Sequence, residues 1–135
     1  DKSIPVHFEL GRSIVAQCGS LRTEVLYIKK SENKNFAVLD AGMTELLRPA
    51  MYNAYHKIEK LNTAEETEEL EYDIVGPICE SSDCFGKDIL LPVLKRGDIL
   101  NIRSCGAYAE SMSLRYNGRK QIESYVHSTR ELMNC

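Results

Sequence analysis

Residues 21–40 read LRTEVLYIKKSENKNFAVLD, and this stretch decides the class of fold that the chain is expected to adopt. Residues 21–30 are rich in threonine, valine, tyrosine and isoleucine, which favour extended backbone. Five polar residues follow at positions 31–35, and residues 36–40 then resume the apolar pattern. Two such segments joined by a short polar turn predict a β-hairpin.

Further strand-like segments extend this pattern along the chain. They are residues 55–61, 72–78, 99–103 and 122–127, with an alternating segment at 5–10 and a turn over Lys95-Arg96-Gly97-Asp98 before residue 99. Helical signals are short: one turn over residues 44–47, ended by Pro49, and a terminal helix over residues 128–135. Several short strands at this spacing predict a mainly β domain, either a barrel or a sandwich, with short helical turns.

Composition excludes several classes of function. The chain has 135 residues, 43% of them hydrophobic, which suits one domain with a real core. Its 17 basic and 20 acidic residues give a net charge of -3, so we expect no nucleic-acid binding. No apolar run is long enough to span a bilayer, so we expect no membrane partner and a cytoplasmic protein. The acidic run over residues 63–73 is expected to form a solvated loop or a short exposed helix.

The five cysteines are an odd number and do not have the paired spacing of a zinc site. No second cysteine pair or histidine pair completes four ligands around Cys79 and Cys84. We therefore expect reduced thiols and no metal site.

A thiol stands beside a carboxylate in the stretch Gly76-Pro77-Ile78-Cys79-Glu80-Ser81-Ser82-Asp83. If the backbone stays extended, Cys79 and Glu80 point to opposite sides of the chain, and one of them could face a cleft. Taken alone, the segment also fits a simpler interpretation, in which Cys79 is a small buried residue and Glu80 a solvated turn residue.

Four clusters of chemically active residues occur in order along the chain. They are Glu9-Leu10-Gly11-Arg12, then Asp40-Ala41-Gly42-Met43 with Arg48-Pro49-Ala50-Met51-Tyr52, then the segment 79–83, and finally Gly106-Ala107-Tyr108. This ordered set resembles the diaminopimelate decarboxylase family of pyridoxal phosphate-dependent decarboxylases of fold type III, with further matches at residues 111–113 and 116–119. Decarboxylases of ornithine and arginine share the first, third and fourth clusters, so the second favours diaminopimelate.

The resemblance implies a fold and a place in a longer protein. Residues 1–135 would be the C-terminal β domain, a Greek-key-like β-barrel or sandwich similar to the C-terminal domain of alanine racemase. Residues 1–12 would correspond to the last strand of an N-terminal β/α barrel that is otherwise absent from this chain. The lysine that binds pyridoxal 5'-phosphate would lie in that barrel, so the chain alone is expected to be inactive.

The resemblance also implies roles for single residues at a substrate and cofactor site. Gly11 and Arg12 would contact the cofactor, and Arg12 also the substrate. Arg48 and Tyr52, four residues apart and so on one face of a helical turn, would bind the distal carboxylate of the substrate. Without the resemblance, Arg12 could be a solvent-facing arginine, and Arg48 and Tyr52 could be surface packing residues.

Three more roles complete the implied site. Glu80 would accept hydrogen bonds from the distal ammonium of the substrate, and Cys79 would be the catalytic thiol that returns a proton after decarboxylation. Tyr108 would contact the cofactor phosphate or the substrate, with a buried core tyrosine as the rival interpretation. Asp40, Asp83 and His56 are interpreted as structural.

The implied function is decarboxylation of meso-2,6-diaminopimelate to L-lysine in lysine biosynthesis. The resemblance also implies a homodimer whose active sites are shared between subunits, because Cys79 and Glu80 of one subunit would serve the site of its neighbour. Two alternatives remain. The chain could belong to an ornithine or arginine decarboxylase, or it could be a non-catalytic, β-rich interaction or regulatory domain.

Overall fold

A computed structural model describes residues 3–61 and 68–126 of the chain. Six strands dominate these residues, with two short helices and three single turns of 3-10 helix. The strands are β1 (Ser20–Lys30), β2 (Asn35–Leu39), β3 (Ile58–Lys60), β4 (Glu69–Val75), β5 (Cys84–Pro92) and β6 (Ile99–Arg103). The helices are α1 (Arg12–Val15) and α2 (Arg48–Tyr52), and the 3-10 turns are Ala16–Cys18, Glu110–Met112 and Tyr116–Gly118.

The strands form one sheet in the order β3-β6-β1-β2-β4-β5. All neighbours are antiparallel except β2 and β4, which are parallel. The long strand β1 belongs to both halves of the sheet: its first five residues pair with β6, and its second half pairs with β2. The register shifts between Val25 and Tyr27, where β1 changes partner, and such an irregularity bends a strand.

The two edge strands of this bent sheet approach each other. Lys60 at the end of β3 donates a hydrogen bond from Nζ to the carbonyl oxygen of Val93, just after β5, over 2.9 Å. The same ammonium is buried and forms an ion pair of 3.1 Å with Asp98. The sheet is therefore nearly closed and barrel-like, which confirms the predicted mainly β fold in its barrel form.

The core lies inside this barrel and follows from the alternation of side chains along the strands. In β1 every second residue from Leu21 to Val25 is buried. The fully buried large side chains are Val25, Leu39, Leu46, Ile74, Leu100 and Ile102, together with Thr44. The core thus draws on β1, β2, β4 and β6, and on the loop after β2.

The predicted hairpin is confirmed as β1 and β2, and the predicted strand over residues 99–103 is confirmed as β6. The structure shortens the predicted strand 55–61 to Ile58–Lys60 and moves 72–78 back to Glu69–Val75. The acidic run is therefore only partly a loop, because Glu69, Glu71 and Asp73 lie on β4; residues 62–67 lie outside the described part.

Two predicted strands were wrong. Residues 5–10 form neither helix nor strand, and their alternating apolar side chains are exposed, with Val6, Phe8 and Leu10 at 69%, 80% and 66%. Residues 122–126 also form no strand. Periodicity alone does not make a strand, because the backbone also needs a neighbour to pair with, and neither segment has one among the described residues. The predicted terminal helix lies outside them.

The predicted helical turn over residues 44–47 was misplaced, and Pro49 starts a helix instead of ending one. The chain makes a non-helical turn at residues 43–45, and α2 then begins at Arg48 with Pro49 in its first turn. Proline is favoured there because the first-turn N–H groups have no partner within the helix. The helix ends at Asn53, whose φ of 51° is left-handed.

Strand β5 was not predicted, although its last residues belong to the apolar run of residues 89–94. Gly86 and the left-handed Asp88, with a φ of 53°, interrupt its pattern, and the pairing of β4 with β5 shifts register twice. Among the described residues, no helix has the length and apolar character needed to cross a membrane.

Candidate functional site

Helix α2 brings three of the predicted site residues together. The guanidinium of Arg48 lies 5.6 Å from the ring centre of Tyr52, which follows one helical turn later, as the spacing predicted. It also lies 5.9 Å from the ring centre of Tyr108, which comes from a distant loop. Both distances are within the range of a cation–π contact. We call these three residues the Arg48 cluster.

The Arg48 cluster has a cation without a carboxylate partner. Arg48 is half-buried, and within residues 3–61 and 68–126 its guanidinium forms no ion pair and no side-chain hydrogen bond. The two phenols beside it are 60% and 50% exposed, so the cluster opens to the surface. A partly desolvated guanidinium flanked by hydroxyl groups is suited to binding a carboxylate or a phosphate.

The loop of residues 40–47 sets the position of α2. The buried carboxylate of Glu45 accepts hydrogen bonds from the N–H of Gly42 over 2.7 Å and from the hydroxyl of Thr44 over 2.9 Å. Its other oxygen accepts a bond of 3.2 Å from Nε of Arg119. Because Leu46 is fully buried directly after this network, α2 starts from a fixed base.

Tyr108 is held in an unusual backbone conformation. Its φ of 61° is left-handed, which a bulky residue adopts only where its surroundings impose it. The preceding turn is pressed against the N-terminal segment: Gly106 donates to the carbonyl oxygen of Ala16 over 2.9 Å, and Cys105 donates to that of Gly19 over 2.9 Å. Tyr108 is half exposed, so the rival interpretation as a buried core tyrosine was wrong.

The sequence suggested that Cys79 and Glu80 directly follow a strand, but in the structure they do not. Strand β4 ends at Val75, and residues 77–80 form a bend in which both side chains are exposed. The simpler interpretation of Cys79 as a buried residue is therefore wrong as well. The carboxylate of Glu80 accepts a hydrogen bond of 2.6 Å from the hydroxyl of Tyr116. We call Cys79, Glu80 and Tyr116 the Glu80 cluster.

Asp83 fixes the bend that carries the Glu80 cluster. Its two oxygens accept hydrogen bonds from the N–H of Met43 over 2.6 Å and from the N–H of Ile78 over 2.7 Å. Burial raises the pKa of the Asp83 carboxyl above its ordinary value. Gly76 and Gly42 meet beside this carboxylate, since a Cβ added to Gly76 would lie only 2.5 Å from Cα of Gly42. The bend therefore packs against the same loop that sets α2.

Gly11 and Arg12 lie at the start of α1, and both are exposed. In the part of the chain that the structure describes, the Arg12 side chain has no hydrogen bond or ion pair. The chain that follows α1 contacts the turn before Tyr108 through Ala16 and Gly106, so α1 leads into the base of the Arg48 cluster. The roles of Gly11 and Arg12 stay predictions.

The structure thus forms two separate clusters from the predicted site residues. Over residues 3–61 and 68–126, no hydrogen bond, ion pair or ring contact joins Cys79 or Glu80 to the Arg48 cluster. The Arg48 cluster is suited to an anion. The Glu80 cluster combines an anion that can accept bonds from an ammonium with a thiol that can carry a proton.

Two other thiols, those of Cys84 and Cys105, have inert surroundings. Burial raises the pKa of Cys105 to about 11 and also raises the pKa of Cys84. His56 is buried, with Nδ1 2.8 Å from the carbonyl oxygen of Arg103. Among the described residues, no three His, Cys, Asp or Glu side chains are grouped so as to hold a metal ion.

Three residues that shape the site were not predicted from the sequence: Glu45, Tyr116 and Arg119. Tyr116 bonds Glu80, and Arg119 bonds Glu45 and the carbonyl oxygen of Asp40. Tyr116 and Arg119 belong to a segment already noted as a family match, but 36 residues separate Tyr116 from Glu80 along the chain. No local pattern could have paired them.

Together, the barrel-like sheet and its surface features define a mainly β domain with two polar clusters, each suited chemically to a charged ligand. The chain belongs to the family described as pyridoxal-dependent decarboxylase, C-terminal sheet domain, whose model matches residues 13–106. The matched region runs from α1 to the turn before Tyr108 and includes Arg48, Cys79 and Glu80.

Relatives within this family are diaminopimelate decarboxylases. The chain is 57% identical over 121 residues to that of Bacteroides thetaiotaomicron, covering 90% of this chain and 31% of the relative. It is 51% identical to that of Helicobacter pylori, covering 84% of this chain and 28% of the relative. The chain thus spans less than a third of the length of these relatives.

Solved structures agree with this placement. The crystal structure of the Helicobacter pylori diaminopimelate decarboxylase I148L mutant, complexed with L-lysine, superposes with a TM-score of 0.75 at 50% identity, over 82% of this chain and 27% of that one. The lysine/ornithine decarboxylase of Vibrio vulnificus, complexed with cadaverine, gives a TM-score of 0.72 at 27% identity, over 82% of this chain and 30% of that one.

Proposed function

We propose that this chain is the C-terminal domain of a pyridoxal phosphate-dependent diaminopimelate decarboxylase, which converts meso-2,6-diaminopimelate to L-lysine and CO2. The observation that carries the proposal is the Arg48 cluster, where a half-buried guanidinium has no carboxylate partner among the described residues and lies between two exposed phenols. The identities of 57% and 51% to diaminopimelate decarboxylases support it.

Substrate recognition rests on two groups of opposite charge. Arg48 donates paired hydrogen bonds to the distal carboxylate of the substrate, and the hydroxyl of Tyr52 adds a third bond. Glu80 accepts hydrogen bonds from the distal ammonium, which Arg48 would repel. Ornithine lacks the distal carboxylate, so this pair of contacts selects for diaminopimelate.

The residues of this chain fit one side of a pyridoxal phosphate site. Tyr108 is half exposed, with its ring centre 5.9 Å from the guanidinium of Arg48, and Gly11 and Arg12 lead into the same region from α1. Lys60, the buried lysine of the described part, bonds Val93 and Asp98 and does not face either cluster. The cofactor, when bound, supplies the electron sink for loss of the carboxylate. Its lysine would come from the larger part of the protein.

Cys79 completes the chemistry as a proton donor. Its thiol is exposed and lies in the bend that Asp83 fixes, so its position is set by the fold rather than by a flexible strand end. The thiol returns a proton to the carbon that has lost its carboxylate. Because the Glu80 cluster and the Arg48 cluster do not touch, we propose that each active site takes Cys79 and Glu80 from one subunit of a cytoplasmic homodimer and Arg48 from the other.

The proposal predicts a specific loss in the full-length protein when Arg48 is replaced by Ala. Loss of charge-assisted bonds to the distal carboxylate should raise the KM for meso-diaminopimelate by roughly 10- to 100-fold. Steady-state kinetics of CO2 release measure this. Arg48→Lys should recover only part of the loss, because an ammonium does not form the paired bonds.

The matched control is Arg96→Ala, which removes an exposed arginine that has no side-chain partner among the described residues. Its kinetics should equal those of the unmodified protein. Unchanged kinetics in Arg48→Ala would contradict the carboxylate contact.

A decarboxylase of ornithine or arginine is the second candidate, favoured by the likeness to the Vibrio vulnificus lysine/ornithine decarboxylase. Assays of the full-length protein with meso-diaminopimelate, ornithine and arginine separate the two. Turnover of ornithine that is insensitive to Arg48→Ala would favour this candidate, because ornithine has nothing for Arg48 to bind. Absence of turnover with all three would favour the interaction or regulatory domain.

A further inference from the structure

We propose that Tyr116 is a positioning residue that orients Glu80, so that one oxygen of the Glu80 carboxylate is held and the other is presented to an ammonium group of the substrate. This inference rests on the proposed function, since it names the residue that orients Glu80 toward the distal ammonium of the substrate. Tyr116 Oη donates to Oε1 of Glu80 over 2.6 Å. Oε2 of Glu80 has no hydrogen bond within the described residues.

Tyr116 is held in place from both sides along the chain. Two residues before it, the N–H of Leu114 donates to the carbonyl oxygen of Thr44 over 2.8 Å. Three residues after it, Arg119 bonds the carboxylate of Glu45 and the carbonyl oxygen of Asp40. Both attachments end on the loop of residues 40–47, so the phenol starts from a fixed backbone.

Glu80 is attached to the same loop by a separate route. Asp83 closes the bend of residues 77–83 and accepts the N–H of Met43. The hydroxyl of Tyr116 and the carboxylate of Glu80 therefore meet because both segments rest on one loop, and that loop also positions α2. An exposed glutamate would otherwise sample several rotamers, and ordering it upon substrate binding would cost free energy.

The Tyr116 hydroxyl is suited to donate a hydrogen bond while it stays protonated. The hydrogen bond to Glu80 and the charge of that carboxylate raise the pKa of Tyr116 above its ordinary value of 10.0. Tyr116 is therefore neutral at physiological pH and can only be the donor toward an ionised Glu80. That assignment leaves the negative charge on Glu80, where an ammonium needs it.

Replacement of Tyr116 by Phe in the full-length protein tests the inference, because it removes the hydroxyl and keeps the ring. The KM for meso-diaminopimelate should rise by roughly 10- to 100-fold, the range for losing one hydrogen bond to a charged group. The kcat should stay within about twofold, since the hydroxyl acts on Glu80, which is assigned to the distal ammonium and not to the reacting carbon. A purely structural role would lower kcat and stability together.

Tyr125→Phe is a matched control, because Tyr125 is also exposed and its hydroxyl also bonds a glutamate, Glu123, over 2.8 Å. It should leave KM unchanged. Glu80→Gln and the double variant Glu80→Gln with Tyr116→Phe complete a cycle. If Tyr116 acts through Glu80, the second change should add less than about twofold to the first.

Three results would overturn the inference. An unchanged KM in Tyr116→Phe would show that the hydroxyl does not orient Glu80. A lower KM would show that Tyr116 competes with the substrate for Glu80. A full additional loss in the double variant would show that Tyr116 acts independently. Failure of the proposed function is distinct, because the unmodified full-length protein would then fail to release CO2 from meso-diaminopimelate.

Discussion

Single polar residues hold the site loops in place. Asp83 accepts two backbone N–H groups with its two oxygens, and Asp40 accepts both the Thr23 hydroxyl and the N–H of Glu24. The sequence predicts structural roles for Asp40 and Asp83, and these contacts are of that kind. It could not name their partners, because Asp83 and Met43 are 40 residues apart.

Replacement of Asp83 by Asn should destabilise the domain. Each oxygen of Asp83 faces an N–H donor, so the amide nitrogen of asparagine would place a donor against a donor. We expect a loss of roughly 1–3 kcal/mol in the free energy of unfolding, the range for an unsatisfied buried group. Urea unfolding of the 135-residue chain, followed by circular dichroism, measures it.

Asp88→Asn is the control for this change, because Asp88 is an exposed aspartate whose only ion pair, with Lys34, lies at the surface of the described structure. It should cost less than about 1 kcal/mol. Equal losses of unfolding free energy in the two variants would contradict a stabilising role for the hydrogen bonds that Asp83 accepts from the backbone.

At the scale of elements, β4 shows how neighbours override a local pattern. Its sequence ELEYDIV is acidic enough to predict a solvated loop, yet β2 and β5 pair with it on both sides. Glu69 and Glu71 point outward, but Asp73 is buried beside Tyr72, where it accepts hydrogen bonds from Lys34 and from the N–H of Asp88. Charge composition describes only the exposed face, whereas strand formation depends on partners far along the chain.

Asp73 should make the stability of β4 dependent on acid pH. Burial alone would raise its pKa, but hydrogen bonds from the N–H of Asp88 and from Lys34 outweigh burial and hold the pKa below the ordinary 3.8. A depressed pKa means that ionised Asp73 stabilises the fold above pH 3.8. That contribution is lost as the pH falls through the lower pKa of the folded state.

Thermal unfolding of the 135-residue chain at neutral pH and at about pH 3 measures this dependence. Asp73→Asn should be less stable at neutral pH and should lose less on acidification than the unmodified chain. Glu32→Gln, an exposed change in the neighbouring turn, should leave the pH dependence as it was. An identical acid loss in Asp73→Asn would contradict the assignment.

The whole molecule keeps apart the two clusters that the resemblance assigned to one active site shared between two subunits. Four motifs in order along the chain identified the residues, and the structure joins Arg48 and Tyr52 with Tyr108 but leaves Cys79 and Glu80 apart. Both clusters rest on the loop of residues 40–47, so they are rigid relative to each other. A site that needs both would be built from two copies of the chain.

This arrangement is tested by mixing two impaired full-length variants, Cys79→Ser and Arg48→Ala, at a substrate concentration far below the KM of Arg48→Ala. In a mixed dimer, one site would receive Arg48 from the first variant and Cys79 from the second. Random exchange makes half of the dimers mixed, with one intact site in two, so about a quarter of the unmodified activity should return. Activity that stays at the level of the separate variants would contradict a shared site.

The amino-acid sequence by itself determined the mainly β class, the hairpin of β1 and β2, strand β6 and the identity of the candidate residues. These follow from local propensity, turn chemistry and motif order, which act over a few residues. Only the tertiary structure decided that residues 5–10 are unpaired, that β5 exists, that Tyr108 joins Arg48, and that Tyr116 holds Glu80. Each of those outcomes depends on a contact partner tens of residues away, or on the absence of one. Local sequence patterns do not identify such a partner.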